Sequence, residues 1–261
     1  MPSSDIYFIC QMVDHSLDDG MGFLRNIEDF MGDMACGILL RDYPKYTPLH
    51  DYIEFVVSNV IWEEMDREPK ELLDDISARW GKKLWVDHLL EGHSFDESFI
   101  RWAKKNPDNP EVEEYLRYLQ QEDILPELLE RIAKEAFHIL FTNRKVMRNF
   151  SNHAAYQILE NAVNIYPEKF NGKGCLKRKS IPQWAKNAVF HRDKGICVFC
   201  KTDITKLINQ QNGVHYDHVL PLAKGGMNDI TNLQLLCENC NLKKAATLAR
   251  SSYEYQSWYK Y

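Results

Sequence analysis

Two short cysteine pairs, Cys197-Val198-Phe199-Cys200 and Cys237-Glu238-Asn239-Cys240, stand 36 residues apart. Four thiolates at that spacing can close a tetrahedral zinc site, each CxxC turn aiming both sulfurs at one point. A site closed by four cysteines leaves no position open for substrate. The zinc expected at Cys197, Cys200, Cys237 and Cys240 is therefore structural. A redox role is the competing reading, but a thioredoxin-like motif needs only one pair, in a βαβ setting. The chain has seven cysteines, an odd number that argues against a disulfide framework. Cys10, Cys36 and Cys175 lack a partner at ligand spacing and are expected to be buried or inert thiols.

Between the pairs run Tyr216-Asp217-His218-Val219-Leu220-Pro221 and Gly225-Gly226, followed by Asn232-Leu233-Gln234-Leu235-Leu236 leading into the second pair and Asn241-Leu242-Lys243-Lys244. Hydrolysis of a phosphodiester asks for a base to activate water and a cation to neutralise charge on the phosphate and the departing oxygen. His218 is the candidate base. The Asp217 carboxylate and the Asn241 amide oxygen are hard donors, suited to catalytic Mg²⁺ or Mn²⁺, with zinc kept in the thiolate site. Asn239 flanks the same cysteine and is the alternative to Asn241. His215 reads as a structural histidine, and Lys243, Lys244 and Arg250, following Asn241 on one helix, read as phosphate contacts.

The combined pattern DHxxPxxxGG…NLQxLCxxCNxxK resembles the HNH endonuclease family, in its four-cysteine zinc-knuckle variety, over about residues 181–250. The resemblance implies a ββα-metal nuclease fold and metal-dependent cleavage of DNA with one divalent ion, leaving 3′-hydroxyl and 5′-phosphate ends. Asp217 then stands at the first metal position, where many members carry His, and Asn241 stands where the family name expects the last His. Asn232 matches the middle Asn, which in the family clamps the loop between the strands and positions the catalytic histidine. Fusions of this kind are often employed in prokaryotic antiviral defence or carried by mobile elements. Residues 1–170 resemble no family.

Stepping outward from the motif, charge divides the chain. Residues 1–170 carry 18 Lys and Arg against 32 Asp and Glu, a net of −14, whereas residues 171–261 carry 14 against 6, a net of +8. A basic segment suits the phosphate backbone of DNA, and an acidic one does not. The same break falls at Asn171-Gly172-Lys173-Gly174-Cys175, where glycines interrupt the apolar pattern, followed by Lys177, Arg178 and Lys179, which read equally as a backbone-tracking arm or as a soluble linker. This gives an acidic helical domain over 1–170, a basic linker over 171–180 and a nuclease domain over 181–261. The first would regulate, self-associate or dock a protein partner.

The fold class expected is a mainly α N-terminal domain with a small α+β zinc-stabilised domain. Ile53, Val56, Val57, Val60 and Ile61 form one helical stripe, and Leu128, Leu129, Ile132, Ala136, Ile139 and Leu140 form another. Ser94 with Glu97, Pro110 and Pro126 mark helix starts. A long helix is predicted over 143–166, with Val146, Phe150, Ala154, Ile158, Ala162 and Ile165 on one side. Beyond the linker, Ser180 with Gln183 should cap a helix through Trp184, Ala188 and Val189. Strands are predicted over 214–220 and 233–236, and a helix over 241–249. The aromatic stretch Trp80 to Trp85 reads as core.

Arg148 and His153 match the RxxxxH spacing of HEPN ribonucleases, which sets up one alternative, a helical ribonuclease with a zinc-knuckle appendage. The other is a non-catalytic DNA-binding module. A run of about 18 apolar residues is lacking, and Met1-Pro2-Ser3-Ser4-Asp5 lacks the layout of a secretory signal. The expectation is a soluble cytoplasmic protein that does not associate with membranes.

Overall fold

The computed structural model describes residues 3–18, 27–30, 35–65, 105, 117, 120–205, 213–244 and 251–253. The chain forms two compact units, one from Met1–His15 with His50–Phe137 and one from Ser16–Leu49 with His138–Tyr261. Among the described residues no helix is long and apolar enough to cross a membrane.

The first unit is helical. It is built from most of α1 (Ser3–Ser16), α4 (Pro48–Met65) and α5 (Ile124–Leu140). Pro126 lies in the first turn of α5, where its missing N–H has no partner to lose. Both predicted stripes turn inward: Ile53, Val56, Val57 and Val60 are buried, as are Leu128, Ile132, Ala136 and Leu140. The Cys10 thiol donates to Ala136 O at 3.8 Å, and burial pushes it up to about 11, so it stays protonated. The starts at Ser94 and Pro110, the side chain of Ile61 and the Trp80 to Trp85 stretch lie outside the described residues.

The second unit holds the short helices α2 (Ile27–Phe30) and α3 (Ala35–Leu39) and the long helix α6 (Arg144–Gln157). Asn143 caps α6, its Oδ1 accepting from the amides of Lys145 and Val146. The predicted long helix is interrupted by a π turn over Ile158–Ala162 before a last α turn, Val163–Ile165. Val146, Phe150, Ala154, Ile158 and Ala162 are buried as the stripe requires, but Ile165 is 51% exposed. The wider π turn inserts a residue into the helical repeat and rotates everything after it off the apolar side.

The glycine-containing stretch after Asn171 is an ordered turn inside this unit. Phe170 and Leu176 pair in an antiparallel bridge and are both buried, and Asn171 Oδ1 accepts from the amides of Lys173 and Cys175. The charge break and the division into compact units therefore fall at different places in the chain.

A two-stranded antiparallel sheet follows, β1 (Val214–His218) with β2 (Leu233–Cys237), between α7 (Gln183–Arg192) and α8 (Glu238–Lys244). Sheet and helix form the ββα arrangement expected. Pro182, rather than Ser180, occupies the cap position of α7, and no side chain caps that helix. β1 stops at His218, short of Leu220, because the next two residues bond to Asn232 instead of to β2. α8 begins at Glu238, three residues earlier than predicted, and residues 245–249 lie outside the described ones.

Asp193 joins these pieces. Its carboxylate accepts from Arg192, from Arg144 of α6 and from the Leu235 amide of β2 at 2.9 Å. All three charged side chains are buried. Burial alone would raise the Asp193 pKa, but the two guanidiniums and the amide outweigh it and hold it below the usual range.

Candidate functional site

The four motif cysteines converge. Their sulfurs all lie within 4.8 Å of one another, and the Sγ atoms of Cys200 and Cys237 are 3.6 Å apart. A tetrahedral zinc with Zn–S near about 2.3 Å sets sulfurs at about 3.8 Å, so this donor set fits zinc. The first pair turns tightly, with Cys197 N donating to Thr202 O and Lys201 N to Cys197 O, and Lys201 takes a left-handed conformation at φ 61°. Val198 N donates to Leu235 O, docking the knuckle on β2, and Cys197, Val198 and Leu236 form a small buried cluster. Burial and the neighbouring sulfurs push the Cys240 thiol up to about 12. For Cys200, burial is outweighed by hydrogen bonding with Thr202 and the nearby thiols, which brings it down to about 6. Four thiolates so close together need a cation between them. Cys175, by contrast, lies in the 171–175 turn, away from this cluster.

His218 ends β1 and is 2% exposed. Burial, reinforced by the Arg178 guanidinium and opposed by Asp217, pushes its pKa down to about 4. The ring is neutral at physiological pH, the form from which a base starts, although the same burial makes it harder to protonate. Its Nε2 lies 3.5 Å from the Tyr43 hydroxyl, and its Nδ1 is buried without a hydrogen-bond partner. Burial also raises the Tyr43 phenol, which stays protonated.

The loop that follows His218 is braced by Asn232. The Asn232 Oδ1 accepts from Leu220 N at 2.8 Å, while its Nδ2 donates to Leu220 O and Met227 O, both at 3.0 Å. Val219 N adds a bond to Asn232 O at 2.7 Å. Asn232 thus ties the two ends of the loop, Leu220 and Met227, to the start of β2. The two glycines of the loop are needed for close approach. A Cβ on Gly226 would stand 2.0 Å from Leu220 O, and Gly225, at φ 80°, would meet Ala155 O at 2.7 Å.

Asp217 lies on the opposite side of β1 from His218, as the strand period dictates. Its Oδ2 accepts from Gln234 Nε2 at 3.0 Å and pairs with Lys244 Nζ at 2.7 Å. Lys244 was expected on an exposed phosphate-binding face with Lys243, yet only Lys243 is exposed. The Lys244 ammonium is buried between Asp217 and the His218 carbonyl oxygen, to which it also donates. The physical reason is helix geometry, which sets two consecutive lysines about 100° apart. Asn241 sits near His215, with Nδ2 3.4 Å from His215 Nδ1, and His215 Nε2 is buried without a partner. Asp217 and Asn241 thus stand on adjoining elements, β1 and α8, with the carboxylate engaged by an internal ammonium and the amide near His215. Arg250 lies outside the described residues.

In the basic stretch, Lys177 donates to Glu168 O, Arg178 is exposed, and Lys179 pairs with Asp42 at 3.7 Å. Arg148 and His153 go to different partners, Arg148 to the Tyr253 ring and hydroxyl and His153 Nε2 to Leu17 O at 3.2 Å. Sequence reading missed Tyr43 and Asn228. Nothing in the local pattern around Tyr43 marks it, whereas Asn228 was visible only as a loop residue.

No curated protein and no solved structure matches the chain. Residues 197–254, a span that takes in both cysteine pairs, Asp217, His218, Asn232 and Asn241, match the family model for HNH endonuclease, with the four cysteines placed to bind a metal as in the zinc-knuckle variety.

Proposed function

We propose that the C-terminal region is a metal-dependent endonuclease that hydrolyses DNA phosphodiester bonds, with His218 as the base that activates water. The observation that carries this reading is a neutral, buried histidine at the end of β1, followed by a loop braced by Asn232. Asp217 and Asn241 would hold the divalent ion. When bound, such an ion neutralises charge on the phosphate and on the leaving oxygen. Lys244 must then share or yield the Asp217 oxygen it now holds. Asn232 orients the backbone that carries His218, and Lys243 offers a charge to the DNA backbone. Control of cutting through the acidic N-terminal part belongs to the same proposal, supported by its opposite charge.

A second reading, a DNA-binding module that does not cut, is favoured by the Asp217–Lys244 pair, because an internal ammonium already neutralises the acidic position. One experiment separates the two. Purified full-length protein is incubated with plasmid, single-stranded DNA and RNA, with and without added Mg²⁺ or Mn²⁺. Cleavage of DNA that depends on the added ion supports the nuclease, whereas binding without cleavage under every condition supports the module.

A further inference from the structure

His218 is closed off by a stretch of chain far away in sequence, the segment Arg41 to Thr47 between α3 and α4. The Tyr43 hydroxyl lies 3.5 Å from Nε2, and the Tyr43 amide donates to Asn228 O at 2.8 Å. Tyr43 itself is buried and takes a left-handed backbone at φ 49°, a conformation that bulky residues rarely adopt and that its contacts must hold in place. The preceding residue, Asp42, presents its carboxylate to three donors. Asn228 Nδ2 donates to Asp42 Oδ1 at 3.0 Å, and Lys179 and Lys169 reach Asp42 Oδ2 at 3.7 and 4.0 Å. The Asn228 side chain is fully buried and also anchored to Lys177 O at 2.9 Å, so the donor is fixed rather than recruited from the surface.

A carboxylate held through one oxygen by a buried amide and through the other by two ammonium groups, next in sequence to the tyrosine that contacts His218, occupies an environment that suits a backbone phosphate. We propose that Asn228, Lys179 and Lys169 form a subsite for a DNA phosphate, which Asp42 fills as a substrate mimic while Tyr43 covers His218. The carboxylate and the phosphodiester are both singly charged oxygen acceptors, so DNA enters by exchanging one for the other. The exposed lysine pairs hold Asp42 only weakly in water, which keeps that exchange open. This inference rests on the nuclease reading for what the site does, but not for what it binds.

The test uses full-length protein and a fluorescein-labelled 20-base-pair duplex, with anisotropy read between 50 and 200 mM NaCl without added divalent ion. Asp42→Asn keeps the oxygen that Asn228 needs and removes the charge. It should bind more tightly than wild type at 50 mM NaCl, with a log–log salt slope steeper by about 1 to 2, since each freed lysine gains about one phosphate contact. Lys179→Ala should reduce the slope by about 1 in the Asp42→Asn background and leave it nearly unchanged in wild type. Tyr43→Ala, which loosens the same segment from outside the subsite, should also tighten binding, and it decides the matter if Asp42→Asn does not fold by melting curve and zinc content. Unchanged affinity and slope in the folded variants, or an equal effect of Lys179→Ala in both backgrounds, would overturn the proposal. If Mg²⁺ or Mn²⁺ then elicits no cutting from any variant, the nuclease reading fails while the binding result stands.

Discussion

Lys244 Nζ lies 2.7 Å from Asp217 Oδ2, and the lysine side chain is 1% exposed while the aspartate remains 19% exposed. The ammonium is committed to the interior, held also by the His218 carbonyl, whereas the carboxylate keeps a path to solvent.

Replacing this lysine with an apolar residue of similar length, Lys244→Met, removes a charge-assisted hydrogen bond and a competitor for Asp217 together. The expected cost is about 1.5–3 kcal/mol of stability, read by urea denaturation. If the protein cuts DNA, the Mg²⁺ concentration for half-maximal cutting should fall. An unchanged or raised Mg²⁺ requirement would mean that Lys244 does not compete with the ion.

For His218→Ala the expected result is a rate of plasmid nicking lower by roughly 100- to 10,000-fold, the usual loss for a general base. DNA binding should survive, because Lys243 and the basic stretch are untouched. Because the ring is buried and contacts Tyr43, melting temperature and zinc content are measured beside the rate to establish that the variant is folded. Cutting at near wild-type rate by a folded variant would remove His218 from the mechanism.

Protein purified without added metal should carry about one zinc per chain by elemental analysis. Cys240→Ser should lose it, together with the protease resistance of the region from Cys197 onward, because a module this small depends on its metal for folding energy. A zinc-free protein that keeps the same resistance would leave the four-sulfur cluster without a structural role.

Asp193 makes acid stability testable. Its pKa is depressed in the folded protein, so its contribution is fully present above the unfolded value of about 3.9 and is lost as pH falls through the folded value. Wild-type melting temperature should therefore drop steeply below about pH 4. Asp193→Asn leaves the buried guanidiniums of Arg144 and Arg192 facing an uncharged amide, at a cost of about 3–5 kcal/mol near neutral pH, and should lack this group's share of the acid loss. Equal melting temperatures at pH 7 would show that the network is not holding α6 to the sheet.

The ββα module and its cysteine cluster were legible because their information is local: spacing places two CxxC turns and a DH pair, and strand and helix periods do the rest. The buried stripes of α4 and α5 were legible for the same reason. What only the tertiary structure decided involves residues far apart in the chain. The π turn after α6 moved Ile165 to the surface, although its sequence spacing matched the stripe. Two adjacent lysines looked alike, yet Lys244 turned inward because a carboxylate and a carbonyl waited there. Tyr43 and Asp42 reached His218 and Asn228 across more than 170 residues. Periodicity cannot see such pairings, because the free energy that selects them comes from packing and charge compensation between elements whose meeting no local pattern encodes.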